Sequence, residues 1–241
     1  MENGKDMIFA MGAPGSRWSG ILRVLQMYHA CINHSDDSPD REYDRYTRTT
    51  LDNKEISVGW HRGAYWGPAH EVGEKFDSIR DNYTKEQFLE ECKKPFENWN
   101  GVKIIKSHWF AYNIDVLKEW FPDAKQIAIQ YGSNLDTFAW WHYVGGWDIR
   151  YPHYDWYVDN KRMFEQIQKE NEAINKHFNC KVDLTMSDLT KMLDLDPTVR
   201  SLDDMVAMDM KLYQHNPEHL CMDRHLRVFN TAIERCSIDV I

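Results

Sequence analysis

No stretch of this chain reaches the roughly 20 consecutive apolar residues that a membrane-spanning helix needs, and no apolar leader precedes the first strand-like run at Met7. Its five cysteines (Cys31, Cys92, Cys180, Cys221 and Cys236) are dispersed, with no C-x-x-C pair. An odd, scattered set without a leader reads as reduced thiols in a cytoplasmic compartment. The eleven histidines include no H-E-x-x-H or comparable ligand spacing, so no metal is expected. Basic surplus is also missing. A formal charge of −9 argues against nucleic acid or an anionic membrane as the main partner, and binding a polyanion would need a local positive patch, for which Arg17, Arg23 and Lys106 qualify. There are no internal repeats, low-complexity tracts or interdomain linkers, so 241 residues with 42% hydrophobic content are expected to form one domain spanning 1–241.

What is present is an alternation of strand and helix patterns, which predicts an α/β fold: a central parallel β-sheet flanked by helices, with helix exceeding strand. Strands are expected over 7–12, 102–107, 125–130 and near 181–186. Helices are expected over roughly 19–31, 84–99 with Thr84 as N-cap, 113–121, 134–143 and 156–178. Shorter ones are expected over 188–193, 202–213 and about 222–236. Residues 32–82 are the least periodic part, and so long an irregular region reads as a substrate loop or lid.

The segment Met7 to Leu25 concentrates the chemistry. A short apolar run meets Gly12-Ala13-Pro14-Gly15-Ser16, and an amphipathic pattern (Ile21, Leu22, Val24, Leu25) follows at once. A strand, a small-residue turn and a helix aim backbone N–H groups and the positive end of a helix dipole at one point, a cradle for a phosphate or sulfate. The ATP-binding form of such a loop reads G-x-x-x-x-G-K-S/T. Overlaid from Gly12, the chain has Ser19 in register but Arg17 for the second Gly and Trp18 for the Lys, which weakens a kinase or ATPase reading.

Four segments in order resemble the sulfotransferases. Gly12, Pro14, Ser16 and Ser19 fall on the family's 5′-phosphosulfate loop, G-x-P-R/K-S-G-T-S/T, with Gly15, Arg17 and Trp18 as departures. Lys106-Ser107-His108, after a buried-strand pattern from Val102, is similar to its K-T-H segment. Phe121-Pro122-Asp123-Ala124-Lys125 is similar to its F-P-x-A-K turn, and Val182 to Leu189 to the strand that leads into Y-E-D-L. The resemblance implies a P-loop NTPase-like (sulfotransferase) fold, helix-rich and of one domain. It also implies 3′-phosphoadenosine-5′-phosphosulfate as the donor and a small-molecule or glycan acceptor. Carried onto this chain, it makes His108 the catalytic base and Lys106 the stabiliser of developing charge. Pro14, Gly15, Ser16, Arg17, Trp18 and Ser19 become cofactor-binding. The family's Arg and Ser for the donor's 3′-phosphate have no counterpart here, nor has its C-terminal R-K-G loop, and Gly20 stands where a Trp stacks on adenine. Ser133 and Asn134 are the polar substitutes near the first of these gaps.

Aromatic residues cluster at 60–66, 140–147 and 151–157. Such rings line acceptor clefts by stacking on planar faces, and Tyr65, Trp66, His70 and Trp141 are the expected substrate-binding residues. Two other readings stand beside the enzyme. One is a sulfotransferase-like binding module that has lost donor binding; the weaker one is a P-loop kinase.

Overall fold

The computed structural model describes residues 3–33, 46–49, 55–58, 78–143, 159–180, 186–196, 201 and 236–241. Among these the strands are β1 (Met7–Met11), β2 (Ile32–Asn33), β3 (Tyr46–Thr49), β4 (Glu55–Val58), β5 (Val102–Lys106), β6 (Lys125–Tyr131) and β7 (Cys236–Val240). The helices are α1 (Trp18–Tyr28), α2 (Ile79–Asn82), α3 (Lys85–Lys93), α4 (Ile114–Trp120), α5 (Asn134–Tyr143), α6 (Asn160–Asn175) and α7 (Met186–Met192).

One sheet carries five strands in the order β2-β5-β1-β6-β7. The strand β1 is apolar at every position and fully buried, as a central strand covered on both faces must be. It pairs in parallel with β5 (Ala10 beside Lys106) and with β6 (Met11 beside Ala128). Its side chains therefore divide between two cores. Met7, Phe9 and Met11 pack with Ile105, Ala128 and residues of α3, α4 and α6, whereas Ile8 and Ala10 pack with Ile104, Ile127 and residues of α1 and α7. Because β1 is flanked on both sides by strands that come later in the chain, its carboxyl end is a topological switch point, where open α/β sheets place ligands. No described helix is long and apolar enough to cross a membrane.

The expected elements shift in places for identifiable reasons. The helix expected over 84–99 stops at Lys93 and tightens into a 3-10 turn, Lys94–Phe96, where Pro95 cannot supply the next amide. The helix expected over 156–178 is α6, started by Asp159, whose Oδ1 accepts from the Arg162 amide at 2.9 Å. In the stretch expected to be irregular lie β2, α2 and an antiparallel hairpin of β3 with β4. Met186, expected to end a strand, opens α7; the remainder of that strand, 181–185, lies outside the described residues. The helix expected to reach Cys236 is corrected: Cys236 begins β7, which pairs antiparallel with β6 (Ile129 beside Ile238) and makes the sheet mostly rather than wholly parallel. Cys236 and Ile238 turn inward at period two, but five residues are too few to stand out beside a longer helical pattern. The rest of that helix, and the one expected over 202–213, lie outside the described residues.

Candidate anion-binding site

The bend between β1 and α1 is built by two glycines with different jobs. Gly12 admits no side chain, since a Cβ there would lie 2.5 Å from Ser16 Oγ and 2.7 Å from Ile129 O. Gly15 has φ +82°, and its Cβ would stand 2.3 Å from the Thr137 carbonyl of α5. The bend is thus pressed directly onto α5. Ser16 N–H closes a tight turn on Ala13 O at 3.0 Å, while Ser16 Oγ is fully buried and finds no hydrogen-bond partner among the described residues. Pro14 is buried with it.

The next residue, Arg17, caps α1 in the left-handed conformation (φ 65°), the backbone that explains why a glycine is usual at such a position. Its side chain gives the helix no cap, and the first turn of α1 holds no acidic residue. The guanidinium lies over the rings of Tyr131 (4.0 Å) and Trp140 (3.8 Å) and donates to Tyr131 Oη at 3.0 Å. Trp18 is 3% exposed and belongs to the core, so any part it takes in binding an anion is through its backbone amide. The side chain of Ser19 lies outside the described residues.

On the neighbouring strand, Ser107 N–H donates to Ala10 O at 3.1 Å, extending the β1–β5 ladder, and Ser107 Oγ accepts from the Trp109 amide at 3.1 Å to start a 3-10 turn, His108–Tyr112. This carries His108 onto the bend. Its Nδ1–H donates to Gly12 O at 2.7 Å. A carbonyl only accepts, so Nδ1 holds the proton and the lone pair resides on Nε2. The Trp18 ring packs edge-on against the imidazole at 4.9 Å. Burial pulls the His108 pKa down to about 4, against the upward effect of the bond to Gly12. Lys106, two residues earlier, is 1% exposed at the carboxyl end of β5.

Ser133 and Asn134 sit at the start of α5 with their polar groups engaged. Ser133 Oγ and N–H both donate to Asp136 Oδ2 (2.7 and 2.9 Å), and Ser133 Oγ accepts from the Asp136 amide at 3.2 Å. Asn134 Oδ1 accepts from Asn171 Nδ2 at 2.7 Å. Trp141 is half-buried against the bend; its Cβ lies 3.0 Å from where a Gly15 Cβ would be. Tyr65, Trp66 and His70 lie outside the described residues.

The structure therefore brings together the bend, His108, Arg17 and Trp141 of α5, and it buries Lys106 at the end of the neighbouring strand. A residue missed in the sequence is Glu170 of α6, fully buried, with Oε2 3.6 Å from His108 Nδ1. The faint signal was its position: with Met163, Gln166, Ile167 and Ile174 it lies on the inward face of α6, where a carboxylate is out of place unless something charged meets it. Among the described residues no group of three or more His, Cys, Asp or Glu is arranged to hold a metal ion. No family of known proteins, no curated protein and no solved structure matches this chain.

Proposed function

We propose that this chain is a sulfotransferase-type enzyme, transferring a sulfuryl group from 3′-phosphoadenosine-5′-phosphosulfate to a hydroxyl or amine of a small molecule or glycan. The observation that carries the reading is the His108 imidazole anchored on the carbonyl of Gly12 in the anion-binding bend itself. That bond supports the reading by setting the imidazole beside the bend, at the carboxyl ends of β1 and β5, as a base and an anion cradle would need.

The residues present fit the 5′ end of that donor. The α1 terminus has no cap of its own from Arg17, and the buried Ser16 hydroxyl wants an acceptor. The amides of the first turn and Ser16 would hold the phosphosulfate, which supplies the activated sulfuryl group. Lys106, buried at the end of β5, would offset negative charge as it develops. His108, neutral at physiological pH, would use Nε2 as the basic atom, since Nδ1 is committed to Gly12. The 3′ end is not matched in the same way, because the α5 terminus is already capped by Asp136 and an added phosphate would meet that carboxylate.

This mismatch favours a second reading, a binding module of the same fold that recognises a singly anionic ligand without turnover. A kinase reading has less support, since buried Trp18 occupies the place of the lysine that would reach the phosphates. Calorimetry with adenosine 3′,5′-bisphosphate separates the first two. Binding is expected, and His108→Ala is expected to keep that affinity while reducing transfer roughly 100-fold or more. Silence at millimolar ligand would leave the module; unchanged turnover in the variant would take His108 out of the mechanism.

A further inference from the structure

The buried face of α6 carries a seam of polar side chains where its pattern calls for apolar ones. Gln166 donates through Nε2 to Tyr112 Oη at 3.0 Å and to Glu170 Oε1 at 2.5 Å. Glu170, 0% exposed, then lies 3.6 Å from the imidazole of His108, which is itself bonded to Gly12 O. A polar path thus runs from half-buried Tyr112 through Gln166, Glu170 and His108 to the bend. Enclosing a carboxylate so completely is expensive unless a positive or proton-bearing group meets it.

We propose that Glu170 is the positioning carboxylate of His108: it lies 3.6 Å from the Nδ1 that Gly12 O anchors and stabilises the imidazolium formed when Nε2 takes a proton. In that step the acceptor's O–H bond breaks with its electron pair left on oxygen, an N–H bond forms at Nε2, and the new positive charge on the ring faces the Glu170 carboxylate. A base sealed from water by Trp18 and the surrounding core resists becoming charged, and an adjacent fixed anion offsets that resistance. Gln166 orients the carboxylate from its other oxygen. Among the described residues, Lys106 ends β5 two residues before the ring, the Arg17 guanidinium lies over Tyr131 and Trp140, and Lys169, on the outer side of α6, lies over the Tyr112 ring at 5.2 Å. The role of Glu170 rests on the reading of His108 as the base, but its pairing with the ring does not.

The two are tested apart. Nitrogen-15 NMR of histidine-labelled protein, with the His108 signals assigned by their loss in His108→Gln, reads the ring's titration directly. The ring in the unaltered protein is expected to titrate about one unit or more above that in a folded Glu170→Gln, because the carboxylate 3.6 Å away favours the charged ring. Glu170→Asp, which retains the charge, should restore most of that difference. Superimposable curves for the unaltered protein and a folded Glu170→Gln overturn the pairing. In transfer assays Glu170→Gln should lower kcat roughly tenfold or more with unchanged affinity for adenosine 3′,5′-bisphosphate. An equal loss of both would assign Glu170 to structure alone. Transfer persisting in His108→Gln would remove the base while leaving the NMR result standing.

Discussion

At position 15 there is room for a hydrogen atom and nothing larger. The backbone is left-handed and a Cβ would press into the Thr137 carbonyl at 2.3 Å, a backbone atom that cannot swing aside. The left-handed conformation alone costs an alanine about 1–2 kcal/mol, and relieving the contact means moving the bend off α5. Gly15→Ala is therefore expected to lower the urea midpoint markedly and to loosen whatever the bend binds. A midpoint equal to the unaltered protein's would show that the bend and α5 are not in contact. Arg17 faces the same backbone penalty at φ 65°, yet it is tolerated because stacking of its guanidinium on Tyr131 and Trp140 offsets the strain by a similar amount, about 0.5–2 kcal/mol. Arg17, expected from the sequence to bind the donor, has its guanidinium over the rings of Tyr131 and Trp140.

Among the elements, α1 and α5 start in opposite ways. The first turn of α1 holds no acid and its N-cap side chain is a cation; α5 is closed by Ser133 and Asp136 in reciprocal bonds. The positive end of the α5 dipole is answered from within, whereas α1 receives no side-chain cap from Arg17. The helix α3 shows what a complete cap does without any ligand. Thr84 Oγ1 accepts from the Gln87 amide at 3.3 Å, and Gln87 Oε1 accepts from the Thr84 amide at 2.9 Å. The cap fixes the entry of a helix whose Phe88 is buried among Phe9, Phe110 and Phe121. Thr84→Ala should cost about 1 kcal/mol, read as faster amide exchange over residues 85–88 with little change elsewhere. Uniform acceleration through the sheet would mean that α3 opens only with the whole molecule.

For the molecule as a whole, buried histidines set the response to acid. Burial lowers the pKa of both His108 and His29 below the ordinary 6.5. The unfolded chain therefore binds protons at these rings before the folded one does, and stability falls as pH drops below about 6.5. For His108 the decline ends near 4 and amounts to roughly 3 kcal/mol. Denaturation at a series of pH values should show it, with a deeper decline in Glu170→Gln, where the ring loses its anion. A flat profile between pH 6.5 and 4 would mean that these rings are hydrated in the folded protein.

By itself the sequence determined the layers and the place of the bend. A continuous apolar run, a small-residue turn and an amphipathic stretch specify a buried parallel strand leading into a helix, because hydrophobic period and glycine backbone freedom act locally. The helices at 114–120 and 134–143, and the Thr84 cap, were legible for the same reason. Only the tertiary structure decided what meets the bend. The β1–β5 register brings His108 to Gly12, 96 residues away in the chain. The α6 crossing brings Glu170 to His108, and the commitment of Ser133 to Asp136 depends on a backbone turn at Gly132. The strand β7 too became a strand because an open edge of β6 was there to pair with it. Such pairings depend on which distant surfaces are left to be covered, and a local pattern carries no record of that.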